Sequence, residues 1–228
     1  MKEYLLTVTA LKEEAKNVKT VRFDLNGEKI NFIPGQFIIM FLEGAKKPAA
    51  SYSISCPPND KYIEITAKLY GDFSHKLFNL KVGDKIKIRG PFGNFCFDGQ
   101  FKNDVVMIAG GIGICPFKSM IYNAINKGIK NNITLLYSCR TLDDIAYYNE
   151  LKNIKSKNIK VVFTLTREKR DGNYEHGRVD INMIKKYVKD INDSVFYVCG
   201  LKKMIDDTTN MLKDLGVRKE NIKTELWG

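Results

Sequence analysis

The chain has 228 residues, 44% apolar and 28% charged, enough to bury a substantial core and unlike a disordered tail or fibrous repeat. Its net charge of +11 is mostly lysine without a basic block, and no zinc-finger spacing or RNA-type aromatic motif accompanies it. Nucleic acid is therefore not an expected partner, and an anionic ligand or an acidic protein accounts for the charge as well.

The N-terminus, Met1 to Thr9, alternates like a strand and lacks the apolar core of a signal peptide, and no later run approaches the roughly eighteen apolar residues of a membrane span. A cytoplasmic protein without membrane insertion is expected. The five cysteines (Cys56, Cys96, Cys115, Cys139, Cys199) show neither C-x2-C nor C-x4-C-x2-C spacing, so reduced thiols are expected, without structural zinc or a built-in iron–sulfur cluster.

Through residue 100 the apolar residues keep a period of two. Ile63, Ile65, Ala67 and Leu69 alternate with Glu64, Thr66 and Lys68, and Ile86 and Ile88 stand between Lys85, Lys87 and Arg89. These read as half-buried strands. Turn signals at Asn26-Gly27, Pro34-Gly35, Pro57-Pro58-Asn59-Asp60 and Gly83-Asp84 separate them, which predicts an antiparallel barrel or sandwich. Phe73 to Leu80 is the one short helix expected there.

After Gly99 the rhythm changes. Apolar strands at 105–109, 133–138, 159–165 and 195–199 alternate with amphipathic segments. Phe117, Met120, Ile121, Ala124 and Ile125 share one helical face, and Leu201, Met204, Ile205, Leu212 and Leu215 another. Strands joined by such crossovers predict a doubly wound parallel sheet. The expected fold is all-β plus α/β, an antiparallel β-barrel over 1–100 followed by an α/β domain over 101–228.

Between the strand at 105–109 and the helix stands Ala109-Gly110-Gly111-Ile112-Gly113-Ile114-Cys115-Pro116. It starts like a dinucleotide-binding turn, with proline where the third glycine would stand. On this reading only two glycine roles are filled, the tight turn and close approach of a pyrophosphate, while Pro116 takes the first helical position. Free N–H groups and the helix dipole still make the turn an anion site, although a purely structural turn has the same spelling.

Five further stretches accompany it: Ala49-Ala50-Ser51-Tyr52-Ser53-Ile54-Ser55, Gly71-Asp72-Phe73-Ser74, Gly90-Pro91-Phe92-Gly93, Tyr197-Val198-Cys199-Gly200, and Glu225-Leu226-Trp227-Gly228. In this order they resemble the ferredoxin–NADP reductase family over essentially the whole chain. The resemblance implies a flavin-binding β-barrel joined to an NAD(P)-binding α/β domain.

Tyr52-Ser53 match the second half of the family's flavin motif, R-x-Y-S. The tyrosine ring would face the isoalloxazine and the serine hydroxyl its N5 edge; an ordinary strand is the alternative. The motif's arginine is replaced by Ala50, so Lys68, Lys46, Lys47 or Lys76 would stand in, and the pyrophosphate would lean on the Gly71-Asp72-Phe73-Ser74 turn. FAD is the implied flavin, with FMN the alternative.

Gly110, Gly111, Gly113 and Pro116 would hold the pyrophosphate of a nicotinamide nucleotide. Cys199 and Gly200 would lie near its ring, with Leu201 in place of the family's proline; an inert buried cysteine is the alternative. Thr166 and Arg167, followed by Gly177-Arg178-Val179, resemble the pattern of NADP-dependent members, and Arg140 is a second candidate clamp, so NADPH is favoured over NADH. His75 and His176 read as loop or surface residues.

Trp227 matches the family's C-terminal aromatic, which covers the flavin face that nicotinamide must occupy, and Glu225 would sit near the flavin edge. The implied reaction is hydride transfer from NAD(P)H to flavin, with Ser53, Cys199, Glu225 and Trp227 as the candidate catalytic residues. Electrons would then pass to a separate acidic carrier such as ferredoxin, flavodoxin or rubredoxin. The rival readings are an electron-transfer subunit of a larger oxidoreductase, a reductase of free flavin or ferric iron, and a non-catalytic nucleotide-binding module.

Overall fold

The computed structural model describes residues 2–42, 49–59 and 61–227. By contact the chain divides into two units. One comprises Met1–Asp98 with Cys115–Asn123, the other Gly99–Ile114 with Ala124–Gly228.

The first unit is built on six antiparallel strands: β1 (Glu3–Ala15), β2 (Val18–Asp24), β3 (Phe37–Phe41), β4 (Ala49–Ser53), β5 (Tyr62–Lys68) and β6 (Lys85–Phe92), in the order β4-β3-β6-β1-β2-β5. The two outer strands meet where Ile54 bridges to Ile65 and Ser55 N donates to the Glu64 carbonyl at 2.8 Å. The sheet thus curls shut and its edges are paired. Leu6, Val21, Phe23, Ile38 and Ile88 fill the interior. On β6 the expected alternation holds, with Ile86 and Ile88 buried and Lys85 and Lys87 exposed.

β5 departs from the half-buried strand expected of it: Glu64 and Thr66 are buried along with Ile63, Ile65 and Ala67. The cause is α2 (Cys115–Lys127), whose first nine residues belong to this unit and cover the polar face of β5. Ser119 Oγ donates to the Cys56 carbonyl at 2.6 Å, and the Cys115 thiol reaches the Thr66 carbonyl at 3.6 Å. Glu64 accepts from Arg22 Nε and Nη2 at 2.9 and 2.7 Å and from Lys118 Nζ at 3.3 Å. A carboxylate held by two cations keeps its charge out of water without going unpaired.

The expected helix at 73–80 is α1 (Gly71–Phe78), which begins two residues earlier. It follows β5 directly and carries the Gly71-Asp72-Phe73-Ser74 turn at its start.

The second unit holds β7 (Val105–Gly110), β8 (Ile133–Cys139), β9 (Ile159–Leu165), β10 (Tyr174–His176), β11 (Val195–Gly200) and β12 (Ile222–Leu226), all parallel, in the order β10-β9-β8-β7-β11-β12. Helices α3 (Tyr148–Lys152), α4 (Ile181–Tyr187) and α5 (Lys202–Asp214) lie in the connections. The order reverses at β7, which has β8 on one side and β11 on the other. A ligand of such a sheet sits beyond the carboxyl ends of the strands at that reversal.

Two helical-face expectations need correction. Ile125 is 40% exposed, because the apolar stripe of α2 is spent by Ala124. Leu201 stands outside α5 as its extended N-cap residue, 62% exposed. Among the described residues no helix is long and apolar enough to cross a membrane.

Candidate active site

On the barrel, β4 carries Tyr52 and Ser53, paired with Ile38 and Phe37 of β3. The Tyr52 ring packs on the core and lies 5.9 Å from the Phe73 ring at an interplanar angle of 33°. Burial pushes the Tyr52 hydroxyl up to about 12, so it is a neutral hydrogen-bonding group at working pH. Ser53 is 5% exposed. Ala50 is half-buried and pairs with Met40, and Lys68 is exposed at the end of β5. Lys76 is half-buried on α1, and Lys46 and Lys47 lie outside the described residues.

The start of α1 is a braced turn. Gly71 has φ +75°, and a β-carbon there would meet nothing within 4 Å, so its surroundings are open. The Ser74 hydroxyl accepts from Tyr70 N at 2.6 Å and donates to the Gly71 carbonyl at 3.0 Å, and His75 Nδ1 lies 2.7 Å from that carbonyl. Ser74 thus holds the turn, and the N-cap residue Tyr70 makes no side-chain cap to the helix. Backbone N–H groups at the positive end of a helix beside open space suit a phosphate. Tyr70, 86% exposed, adjoins this turn and has no signal in the linear sequence beyond being aromatic.

In the second unit the glycine turn follows β7 as a 3-10 turn, Gly111–Ile114, before α2 begins at Cys115. Pro116 is therefore the second helical residue, one place later than expected. The three glycines do different work. A β-carbon on Gly113 would lie 2.3 Å from the Cys199 carbonyl oxygen, and one on Gly110 would lie 2.2 Å from Met204 Sδ. Gly113 thus fills the helix-against-strand role that the reading from spacing left empty. Gly111, with φ +54° and nothing within 4 Å of its β-position, is the one that faces open space. The turn fits an anionic pyrophosphate through its backbone, which Gly111 leaves open to approach.

β11 brings Cys199 and Gly200 beside Ala109 and Gly110 of β7. Cys199 is fully buried. On its other side Cys199 is in register with Glu225 of β12, and Trp227 N donates to the Gly200 carbonyl at 3.2 Å. The indole N–H of Trp227 donates to Glu225 Oε2 at 2.8 Å. Burial pushes the Glu225 carboxyl up to about 7, against the opposing pull of that N–H.

At the carboxyl ends of β8 and β9, Arg140 and Arg167 are neighbours. Arg167 N donates to the Arg140 carbonyl and Thr166 N to the Cys139 carbonyl, both at 2.9 Å. Both arginine side chains are exposed. Glu168 ties the two loops together by accepting from Leu142 N at 2.8 Å, a role with no sequence signal. Thr164 Oγ1 donates to the Gly177 carbonyl at 2.6 Å, which holds the Gly177-Arg178-Val179 stretch against β9. His75 and His176 are exposed, and among the described residues no group of three or more His, Cys, Asp or Glu could hold a metal.

Two family profiles match the chain. The one described as an oxidoreductase FAD-binding domain covers residues 5–97, and the one described as an oxidoreductase NAD-binding domain covers 107–210. A probable dihydroorotate dehydrogenase B (NAD(+)), electron transfer subunit, of Pyrococcus horikoshii is 35% identical over 85% of this chain and 68% of its own length. The flavohemoprotein of Bacillus subtilis is 29% identical over 100% of this chain and 60% of its own. The chain spans about three fifths of the length of the flavohemoproteins it matches. Among solved structures, the flavohem-like FAD/NAD binding domain of nitric oxide dioxygenase from Vibrio cholerae superposes with a TM-score of 0.90 at 25% identity, covering 99% of this chain and 98% of that one. With a barrel matching a FAD-binding profile, a parallel sheet matching an NAD-binding one and such relatives along its length, the chain belongs to the ferredoxin–NADP reductase family.

Proposed function

We propose that the protein is a flavin-dependent NAD(P)H oxidoreductase that takes its reducing equivalents from NADPH and delivers electrons to a separate acidic carrier, a ferredoxin, flavodoxin or rubredoxin. The observation that carries the choice of NADPH is the pairing of Arg140 and Arg167 on neighbouring strand ends, two exposed guanidinium groups where one 2′-phosphate can be clamped. The net charge of +11 supports an acidic partner, because complementary fields speed encounter. The five free thiols support a cytoplasmic setting.

Bound FAD supplies hydride acceptance and the release of electrons one at a time. The chain supplies grip and alignment. Tyr52 offers an apolar face and Ser53 a hydroxyl to the flavin ring, while Gly71, Asp72 and Phe73 present N–H groups, and Lys68 a charge, to its pyrophosphate. Gly111 lets the nucleotide pyrophosphate approach the backbone of its turn, with Gly110, Gly113 and Pro116 shaping that turn and Thr166 beside the arginines. Cys199 and Gly200 line the nicotinamide end, where Trp227 excludes water and Glu225 holds a proton.

The experiment is an anaerobic titration of the flavin-loaded protein with NADPH and, in parallel, NADH. NADPH should bleach the visible flavin band at much lower concentration, and equal response to the two refutes the 2′-phosphate assignment. A second reading, an electron-transfer subunit of a larger oxidoreductase, is favoured by the name of the Pyrococcus horikoshii relative. Co-purification with a cluster-bearing partner would select it.

A further inference from the structure

The loops before three neighbouring strands of the parallel sheet share one spelling. Lys102-Asn103 precedes β7, Lys130-Asn131-Asn132 precedes β8 and Lys157-Asn158 precedes β9. Val105, Ile133 and Ile159 stand in register across the sheet, so the three stretches line up along its amino edge. Each asparagine spends its side chain on the loop of the next strand. Asn158 Nδ2 donates to the Ile129 and Asn131 carbonyls at 2.9 and 2.8 Å, and Asn131 Nδ2 to the Phe101 and Asn103 carbonyls at 2.8 and 2.7 Å. Asn132 Nδ2 donates to Asp104 Oδ1 at 2.9 Å and Asn103 Nδ2 to the Asp193 carbonyl at 2.8 Å. Backbone bonds add to these, Ile133 N donating to the Asn158 carbonyl at 2.7 Å and Val105 N to the Asn132 carbonyl at 2.8 Å. The loops are thereby braced into one ledge.

The lysines stand on that ledge and take no part in bracing it. Lys102, Lys130 and Lys157 are exposed, as are Lys127 and Lys155 beside them, and none of the five is in an ion pair among the described residues. The carboxylates at this edge are Asp104, which holds Asn132, and, past β7, Asp190 and Asp193 before β11. The positive run therefore covers β9, β8 and β7 and stops there. Neighbouring strands lie about 4.8 Å apart, so the row of three spans about 10 Å. Acidic side chains along one face of a helix recur at about 5–6 Å and match that row. The loops at 99–104, 128–132 and 153–158 hold no arginine to fork a phosphate, no exposed aromatic ring to stack on a base and no exposed large apolar side chain to enter a bilayer.

We propose that this amino edge of the α/β unit is a docking surface for a partner protein that presents an acidic helical face, with Lys102, Lys130 and Lys157 as the contact row. The edge is separated from the Gly111 turn by the length of β7 (Val105–Gly110), about 20 Å, so an occupant leaves that turn open. Docking here needs neither flavin nor nucleotide and stands apart from the function proposed above.

The probe is a fluorescent synthetic helical peptide with glutamates along one face, compared with its glutamine counterpart by anisotropy on the flavin-loaded protein. The glutamate peptide should bind, the glutamine peptide should not, and binding should weaken steeply with added salt. Lys102→Gln, Lys130→Gln and Lys157→Gln together should raise Kd about tenfold, whereas the same change at Lys16, Lys29 and Lys81, exposed in the other unit, should alter it less than about twofold. Carbodiimide should cross-link the bound peptide to the three row lysines. No binding at low salt, or equal losses in the two triple variants, overturns the site. Tighter capture of duplex DNA or of phosphatidylserine vesicles, lost in the row variant, overturns the choice of a protein partner. If the peptide binds as expected while NADPH leaves the flavin oxidised, the functional reading fails and the docking surface stands.

Discussion

A β-carbon on Gly113 would lie 2.3 Å from the Cys199 carbonyl oxygen and 2.6 Å from its carbonyl carbon. The obstruction is backbone in the middle of a parallel sheet, so it cannot swing aside as a side-chain tip would. Gly113→Ala should destabilise the protein by about 1–3 kcal/mol and weaken NADPH binding, because the turn must retreat from β11 to make room. Urea unfolding and nucleotide titration check this, and a variant as stable as the wild type contradicts it.

Gly71 stands at the other extreme, with φ +75° and an open β-position. Gly71→Ala therefore loses nothing to collision and about 1 kcal/mol or more to backbone strain. The turn at the start of α1 should deform, and FAD should dissociate more readily. The check is flavin retained after gel filtration, with unchanged retention counting against a phosphate role for that turn.

The Lys118–Glu64–Arg22 cluster fastens α2 to β5, with Lys118 7% and Glu64 6% exposed. Lys118→Met should destabilise by about 1–3 kcal/mol, less than a buried ion left wholly unpaired, because Arg22 remains on Glu64. In a double-mutant cycle with Glu64→Gln the two losses should be clearly non-additive.

Glu225 gives stability a pH slope of known sign. Its folded value of about 7 exceeds the ordinary 4.5, so the native state binds more protons between those limits. The Glu225 contribution is fully present below pH 4.5 and is lost as pH rises toward and through 7. Glu225→Gln should remove that component from denaturation curves taken across this window. An identical slope in wild type and variant would refute it.

Arg140→Ala and Arg167→Ala should each raise the KM for NADPH about tenfold or more while changing that for NADH little, since one charge-assisted contact to phosphate is about 1.5–3 kcal/mol. Equal effects on both nucleotides would assign the arginines to folding.

Four of the six parallel strands were legible almost to the residue, the run at 105–109 appearing as Val105–Gly110 and that at 159–165 unchanged, whereas the edge strands β10 and β12 were not read as strands. Strands buried on both faces are spelled as unbroken apolar runs, and nothing remote alters them. β5 misled for the opposite reason. Its Glu64 and Thr66 alternate like solvent-facing residues, yet a helix about fifty residues later covers them, and no local pattern carries that. The glycine turn was legible as a turn, whereas the division of labour between Gly111 and Gly113 depends on where β11 lies. Arg140 and Arg167 were separately visible, and only the β8–β9 register makes them neighbours.

The most direct test of the account is the visible spectrum of the purified protein, loaded with FAD and titrated with NADPH under anaerobic conditions. The purified protein should retain a yellow chromophore whose band disappears on NADPH addition. A chain that keeps no FAD, or keeps it fully oxidised before excess NADPH, contradicts it.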